Sequence, residues 1–160
     1  LNPVGNFVSI CISDRKSGGQ IVSKHSIVIG VFKILGYILH SHKIWVKSIG
    51  VNDYRINYQH IMTFSRKGTK RKPVADFKPD VFIVNQSKYK SYSYGMPVRI
   101  IELLVSNYTD KDNIVYDPFM GSGTTAEACE NTRRRWIGSE IDEKYGELVK
   151  ERMALEKNDL

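Results

Sequence analysis

The chain has 160 residues, of which 41% are hydrophobic and 11% aromatic, and this composition predicts one globular domain and excludes a disordered tail. The formal net charge is +7, and no apolar run approaches the roughly 18 to 20 residues that a membrane helix needs. No charged and apolar leader opens the chain, so we expect a cytoplasmic protein, and its two cysteines lack the spacing of a metal site or of a disulfide scaffold.

The charge is divided unevenly along the chain. Residues 1–95 hold 15 Lys and Arg against 4 Asp and Glu, a net charge of +11, whereas residues 96–160 hold 9 against 13, a net charge of −4, and together these give the total of +7. A basic part joined to a mildly acidic part indicates that the first part faces a polyanion. A solvated basic surface is the alternative explanation.

The first predicted element is a strand. Residues 6–12 are apolar and rich in residues that favour β-structure. The polar loop 13–20 follows at the carboxyl end of this strand, where open α/β sheets bind their ligands. Because the chain begins with Leu1, almost directly before a strand of the core, we expect the sequence to be a fragment.

A crossover helix is predicted next, from Ser23 to about His40. Ser23 is a suitable N-cap residue, and Gly36 would occupy a weak interior position. The helix is indicated by apolar residues at helical spacing, namely Ile27, Val28, Val31, Ile34, Leu35 and Ile38.

Two strands are predicted after this helix, at residues 43–47 and 58–65, because apolar and polar residues alternate there. His60 falls in the second strand, and we interpret it as a structural residue. The other histidines show no metal-ligand spacing and we assign no metal site; they are His25, His40 and His42.

A basic segment follows, with five cations among residues 66–73. Such a segment suits contact with phosphates, because each neutralised phosphate releases counterions, although a solvated loop is also compatible with it. The predicted DNA contacts are Lys67, Lys70, Arg71 and Lys72. A short strand is predicted at 80–84, and cations alternate with tyrosines in 88–94, as they do on many nucleic-acid-binding surfaces.

The second half of the chain predicts a helix and then a β-α-β-α unit. The helix begins at Met96 and Pro97 and ends near Asn107, with a proline tolerated in the first turn. The elements of the unit are a strand at 114–116, a tight turn at 118–123, a helix at 124–131, a strand at 135–139 and a final helix at 142–157.

The turn between strand and helix is the predicted binding site. Gly121 and Gly123 permit a close approach of a ligand to the backbone, and Glu140 lies 19 residues after Gly121, at the end of the next strand. An acid in that place suits the hydroxyl groups of a ribose. A P-loop is excluded, because no lysine follows the glycines.

The glycines do not distinguish a nicotinamide cofactor from S-adenosylmethionine, but Asp117 does. An anionic pyrophosphate would be repelled by a carboxylate at the end of the strand. A cofactor that carries an ammonium group and a sulfonium would be attracted by it. S-adenosylmethionine is therefore the expected cofactor, and a nicotinamide-dependent oxidoreductase is the alternative.

Two stretches of the chain resemble the amino-type DNA methyltransferases, which modify adenine N6 or cytosine N4. They are Asp117-Pro-Phe-Met-Gly-Ser-Gly-Thr-Thr125 and Trp136-Ile-Gly-Ser-Glu-Ile-Asp142. Residues 58–64, Tyr-Gln-His-Ile-Met-Thr-Phe, are similar to the Tyr-Glu-His-Ile strand of the same family. The order of the segments is that of the β group, in which the part that binds the target base precedes the part that binds the cofactor.

The resemblance implies an α/β fold with three layers, Rossmann-like, with a mostly parallel sheet, one antiparallel edge strand and an incomplete N-terminal part. It implies a single partial domain with a target-base half at 1–66, a DNA-contact segment at 67–95 and a cofactor half at 96–160. The implied S-adenosylmethionine site comprises Met96, Pro97, Asp117, Pro118, Phe119, Gly121, Ser122, Gly123, Thr124, Thr125 and Glu140.

The catalytic tetrapeptide of this family, Asp, Asn or Ser followed by Pro-Pro and an aromatic residue, does not occur in the sequence. Residues 2–5, Asn-Pro-Val-Gly, better resemble the Lys-Pro-Gly-Gly turn that follows the catalytic loop in the family. The catalytic residues are therefore unknown, and we expect the 160 residues alone to be inactive.

The implied function is methylation of double-stranded DNA in a restriction-modification system, with adenine N6 favoured over cytosine N4. A non-catalytic subunit of a split methyltransferase and a DNA-binding pseudoenzyme are the alternatives. The partner in the split case would be a second subunit that carries the catalytic segment.

Overall fold

The structure is a computed structural model that describes residues 7–47, 56–69, 79–85, 87–89 and 92–156. These residues divide into two compact units. The first contains residues 7–69 and 79–85, and the second contains residues 87–156, with the gaps just given.

The first unit is built around a four-stranded sheet in the order β1, β5, β4, β6. Its elements are β1 (Phe7–Ile12), β2 (Arg15–Ser17), β3 (Gln20–Val22), α1 (Lys24–Ile34), β4 (Tyr37–Val46), β5 (Tyr58–Arg66) and β6 (Val81–Ile83). β5 is antiparallel to both β1 and β4, and β4 is parallel to β6. Strands β1, β4 and β6 therefore share one direction, which β5 opposes.

The antiparallel strand lies between two neighbours and not at the edge that the sequence predicted. β5 pairs with β1 on one side and with β4 on the other. Residues 60–65 are buried without interruption, as a strand enclosed on both faces requires. The alternation that predicted β5 fixed the extent of the strand correctly, but alternation does not report a strand's position in a sheet.

The predicted end of the first helix was wrong. α1 ends at Ile34, and Gly36 follows with a φ of +80°, a left-handed conformation that stops a helix. Residues 37–46 then form β4, which begins six residues before the predicted strand because it pairs along almost its whole length with β5. The helix packs on the sheet through Val28, Ile29 and Phe32. Five residues of the predicted apolar stripe are exposed, namely Ile27, Val31, Ile34, Leu35 and Ile38.

The segment predicted as a polar loop contains a small hairpin. β2 and β3 pair antiparallel, with Ser17 opposite Gln20. Gly18 and Gly19 form the two-residue turn with φ values of +57° and +76°. Two consecutive left-handed residues are the requirement of a tight hairpin turn, and glycine meets it without strain.

The core of the first unit forms where α1 covers the sheet. Tyr37, Met62 and Phe64 are buried there, and Phe32 of α1 stacks on Phe64 with ring centroids 4.1 Å apart. Trp45 is fully buried, and its Nε1–H donates to the carbonyl of Val84 at 2.7 Å.

The second unit follows the predicted order of elements closely. They are β7 (Ser87–Tyr89), β8 (Tyr92–Gly95), α2 (Val98–Tyr108), β9 (Ile114–Asp117), α3 (Thr124–Asn131), β10 (Arg135–Gly138) and α4 (Glu143–Glu156). β9 and β10 are parallel neighbours joined by α3, which is the predicted β-α-β arrangement. β7 and β8 form a separate hairpin.

The core of the second unit lies between its helices and the strand ends. α2 buries Ile100, Leu103 and Leu104 and packs against α3. Met120, Ala126 and Val149 form a second buried cluster, joining the turn after β9 to α3 and α4.

Both cysteines are free, and Cys129 is buried in α3. Burial raises the pKa of its thiol to about 12, so it is an inert hydrophobic residue. Within the described residues, no α-helix has the length and the apolar character that crossing a membrane requires.

Candidate functional site

The predicted binding turn lies at the carboxyl ends of β9 and β10. Asp117, the last residue of β9, is paired with Gly138, the last residue of β10. The N–H of Ser139 donates to the carbonyl of Asp117 at 3.0 Å, and the N–H of Met120 donates to the carbonyl of Ser139 at 3.0 Å. The backbone after β10 is thus bonded to the turn after β9, so the two ends are held as one structure.

The carboxylate of Asp117 shapes this turn. Its Oδ1 accepts the N–H of Phe119 at 2.9 Å, and its Oδ2 accepts the hydroxyl of Thr125 at 2.6 Å. The first bond is a local turn of the Asx type, and the second connects the strand end to the first turn of α3. A carboxylate offers about four lone-pair sites, so acceptor capacity remains for a ligand.

The carboxylate of Glu140 accepts hydrogen bonds from the turn after β9 and from the backbone after β10. Its Oε2 accepts the N–H of Gly121 at 2.8 Å, and its Oε1 accepts the N–H groups of Ile141 and Asp142 at 2.9 and 3.0 Å. These bonds, led by those from Asp142 and Gly121, lower the pKa of Glu140 below its ordinary value. Glu140 is therefore ionised at neutral pH and holds the glycine turn against the end of β10.

Both glycines of the turn have left-handed backbone conformations. Gly121 has a φ of +53°, and Gly123, at the N-cap of α3, has a φ of +83°. A Cβ at Gly123 would also lie 3.1 Å from Cγ2 of Val149, closer than is ordinary. The residue type at 123 is thus set by conformation and by packing together.

Gly138 makes room for Met120. A Cβ built on Gly138 would lie 2.0 Å from Cε and 3.1 Å from Cγ of the buried Met120 side chain. The absence of a side chain at 138 lets the methionine fill the space under the turn, where it packs against Ala126 and Val149.

A buried arginine of α4 supports the turn from below. Nη1 of Arg152 donates to the carbonyl of Ser122 at 3.0 Å, and the guanidinium is paired with the carboxylate of Glu127 in α3. The arginine side chain is 7% exposed, so this interaction is largely withdrawn from water. Ser122 itself is buried, which makes its contribution to the site one of shape.

Two large apolar side chains are exposed beside these polar groups. Phe119 is 87% exposed, and Ile141, the residue after Glu140, is fully exposed. Phe119 was among the predicted site residues, whereas Ile141 was not. Ile141 could have been suspected from the sequence, because it is an isolated apolar residue between two acids at the end of a predicted strand.

The other predicted contacts are placed as follows. Pro118 is exposed in the turn, and Thr124 opens α3. Met96 is half-buried and Pro97 is buried at the start of α2. Lys67 is exposed directly after β5, and Lys70, Arg71 and Lys72 lie outside the described residues. The ligand contacts assigned to all of these residues stay predictions.

A second cluster of polar side chains was missed from the sequence. Asp14, His25 and His60 converge in the first unit, with candidate ligand atoms within 4.8 Å of one another. Asp14 and His25 are 11 positions apart in the sequence, and His25 and His60 are 35 positions apart. No regular spacing indicated the cluster. The convergence arises from the antiparallel pairing of β1 with β5, which places Ile12 opposite His60.

Comparison with protein families gives a match over most of the chain. The sequence model of the N6/N4 methyltransferase family, described as DNA methylase, matches residues 4–151. The YubD protein of Escherichia coli (strain K12) is 29% identical over 123 residues, which are 77% of this chain and 52% of YubD. The chain thus spans about half the length of this relative.

Two solved structures are similar in fold. The TTHA0409 protein of Thermus thermophilus, complexed with S-adenosyl-L-methionine, has a TM-score of 0.74 and 22% identity, over 95% of this chain and 70% of that one. The cytosine-N4-specific PvuII DNA methyltransferase has a TM-score of 0.77 and 17% identity, over 89% and 62%. These similarities confirm the predicted α/β fold, Rossmann-like and incomplete.

Proposed function

The chain belongs to the N6/N4 family of DNA methylases, and from this membership we propose that it forms the cofactor-binding part of an enzyme that methylates an exocyclic amino group in DNA. The proposed methyl donor is S-adenosylmethionine. The observation that carries the proposal is the pair of carboxylates at adjacent strand ends, Asp117 and Glu140, on either side of a glycine turn.

The residues of the turn fit this cofactor. Oε2 of Glu140 accepts one backbone hydrogen bond and retains capacity for a ribose hydroxyl. Phe119 and Ile141 are exposed beside it and offer apolar surface to an adenine. Asp117 supplies negative charge, which attracts the ammonium and sulfonium groups and repels a pyrophosphate. This last property disfavours a nicotinamide cofactor.

S-adenosylmethionine, when bound, supplies a methyl group on a positively charged sulfur that a nucleophilic amine displaces. The contribution of the chain is to fix the position of the donor, because a direct displacement depends on alignment of the amine, the methyl carbon and the sulfur. Alignment of this kind supplies on the order of 7 to 11 kcal/mol in favourable cases. The hydrogen bonds that Gly121 donates to Glu140 and Thr125 donates to Asp117 hold the turn in place for that task.

We propose that residues 1–160 do not complete the reaction alone. The Asp, Asn or Ser followed by Pro-Pro and an aromatic residue, which in this family holds the target amine, does not occur among them. A catalytic segment supplied by the same protein or by a second subunit would account for this, and a DNA-binding protein without activity is the remaining alternative. Incubation of the chain with radiolabelled S-adenosylmethionine and genomic DNA tests the point, since label in the DNA would contradict it.

Adenine N6 is the proposed target, and cytosine N4 is the alternative. The PvuII enzyme, which is similar in fold, is cytosine-N4-specific by name, so similarity of fold leaves both targets open. Nucleoside analysis of DNA methylated by the complete enzyme decides between them. N6-methyladenine is the expected product, and N4-methylcytosine would require the other assignment.

Calorimetric titration tests the cofactor assignment. We expect the chain to bind S-adenosylmethionine and not NAD. We expect Asp117→Asn to weaken this binding about 10- to 100-fold, because asparagine keeps an oxygen for the N–H of Phe119 but removes the charge. Glu147→Gln on the exposed part of α4 is the matched control and should bind normally. Unchanged affinity in a folded Asp117→Asn protein would refute the role of Asp117.

A further inference from the structure

The first unit contains a cluster of one carboxylate and three imidazoles at the end of β1. Asp14 follows β1, His25 lies in the first turn of α1, and His60 is in β5. Nδ1 of His25 lies 2.9 and 2.8 Å from the two oxygens of Asp14, and the backbone N–H of His25 donates to Oδ1 at 3.2 Å. His42 of β4 completes the cluster, with its Nε2 2.9 Å from Nδ1 of His60.

The cluster is closely packed and largely shielded from water. The side chains of Asp14, His60 and His25 are 3%, 8% and 22% exposed. The rings of His25 and His60 stack with their centroids 3.9 Å apart and their planes inclined by 24°. Two imidazoles are thus held side by side against one carboxylate.

One nitrogen in this cluster is poorly hydrogen-bonded. Nε2 of His60 is buried and makes no well-formed hydrogen bond, and Oδ2 of Asp14 lies at an ion-pair distance of 3.4 Å from it. A buried polar atom without a good hydrogen bond destabilises the folded chain. A nitrogen of this kind in a group of metal-ligating side chains is therefore evidence that the cluster holds something besides its own atoms.

Two of the donor separations can be compared with those around a small tetrahedral ion. Donors at about 2.0 to 2.2 Å from such an ion lie about 3.3 to 3.6 Å apart. The separation of 3.4 Å between Asp14 and His60 already has this value, and the separation of 2.8 Å between Asp14 and His25 needs to open by about half an ångström. This opening requires a rotation of the His25 ring, whose side chain is 22% exposed.

We propose that Asp14, His25 and His60 bind a divalent transition-metal ion of the Zn²⁺ type in a three-residue site. His25 binds through Nδ1 and carries its proton on Nε2, which lies 3.4 Å from the hydroxyl of Ser26. His60 binds through Nε2, while its Nδ1 is oriented by His42. The ion ties the loop after β1, the start of α1 and the central strand β5 together. The proposal is independent of the methyl-transfer function.

Cobalt titration of the chain, without a histidine tag and after removal of metals by a chelator, tests this site. We expect one Co²⁺ per chain with the visible absorption of a tetrahedral N/O complex, displacement of Co²⁺ by Zn²⁺, and a rise in melting temperature with Zn²⁺. The absence of both the absorption and the rise would show a metal-free, hydrogen-bonded cluster and overturn the proposal.

Three substitutions test whether the metal binds at the proposed residues. His25→Gln, which changes the most exposed ligand, should abolish the cobalt absorption while circular dichroism shows a folded protein. His42→Gln should weaken Co²⁺ binding about 10- to 100-fold, as expected for a residue that orients a ligand. His40 is the one histidine of the sequence outside the cluster, so His40→Gln is the matched control and should bind Co²⁺ normally. Equal binding in His25→Gln and His40→Gln would contradict the assignment.

Discussion

Glu140 shows how one side chain can organise the proposed binding turn. Its two oxygens accept three backbone N–H groups, from Gly121 on one side and from Ile141 and Asp142 on the other. The bond to Gly121 spans the two strand ends, so the glycine turn depends on a residue 19 positions away. A change at Glu140 should therefore affect the turn and the cofactor together.

The ionised form of Glu140 predicts a pH dependence of stability. Its pKa in the folded chain is lowered from the ordinary value of 4.5, so its bonds contribute stability above that value, and the contribution is lost as the pH falls through the folded pKa. We expect Glu140→Gln to lower the melting temperature at neutral pH. We expect the difference from the parent chain to shrink as the pH falls below 4.5. Thermal unfolding across this pH range measures it.

Glu147→Gln is the control for this prediction. Glu147 is an exposed residue of α4 whose carboxylate lies 2.7 Å from Nζ of Lys150, and exposed pairs of this kind contribute little. Its substitution should leave the melting temperature nearly unchanged at neutral pH. A difference between Glu140→Gln and the parent chain that does not vary with pH would rule out the charge as the cause.

At the scale of single residues, the sequence predicted contacts between residues that lie within one short supersecondary unit. The proximity of Asp117, Gly121 and Glu140 could be predicted, because a β-α-β unit brings a glycine turn and the acid at the next strand end together. Their contacts with a cofactor stay predictions. The convergence of Asp14, His25 and His60 could not be found in that way. It depends on which strands pair and in which register, and neither is encoded near the residues themselves.

The turn after β9 packs closely against the end of β10. Gly138 ends β10, and the side chain of Met120 occupies the space in which a Cβ at 138 would lie. We expect Gly138→Ala to destabilise the chain by about 1 to 3 kcal/mol, because the methionine must leave its position. In a Met120→Ala background the same substitution should cost much less, and denaturant unfolding of the four proteins gives this coupling directly.

Gly146→Ala provides a control with the same chemical change. Gly146 lies in α4, and a Cβ there would meet no atom within 4 Å. Alanine in a helix interior is favoured over glycine by roughly 0.5 to 1 kcal/mol, so this variant should be slightly more stable. An equal cost of Gly138→Ala with and without Met120 would show that the clash is not the cause.

The elements themselves were predictable to different degrees. The helix at 124–131 has the predicted bounds because a glycine turn, hydroxyl residues and a local apolar pattern all indicate the same start. The helix predicted through His40 ends at Ile34 instead. Apolar residues continue beyond Gly36 with a pattern that helix and strand share, and pairing with β5 decides in favour of the strand.

At the scale of the whole chain, the uneven charge predicts salt-sensitive binding to DNA. Residues 1–95 carry a net charge of +11, and removing one phosphate-binding cation should reduce the slope of log affinity against log salt by about 0.9. We expect replacement of Lys67, Lys70, Arg71 and Lys72 by glutamine to weaken binding to double-stranded DNA and to flatten this slope. Fluorescence anisotropy at several salt concentrations measures both.

The control changes the net charge equally at four other cations, namely Lys111, Arg133, Lys144 and Lys150, all exposed in the second half of the chain. Their replacement by glutamine should alter the slope much less. Equal effects of the two sets would mean that the total charge, and not the segment after β5, governs DNA binding. The division into 1–66, 67–95 and 96–160 stays a prediction that this comparison would support or weaken.

The chain contains two tryptophans, and the fold places one in each unit. Trp45 is fully buried and bonded to the carbonyl of Val84, whereas Trp136 is half-buried and donates its Nε1–H to Glu130 at 2.9 Å. Replacing either by phenylalanine leaves a single fluorophore that reports on one unit alone. The chain thus carries its own optical probes for separating a ligand that acts on the glycine turn from a metal that acts on the histidine cluster.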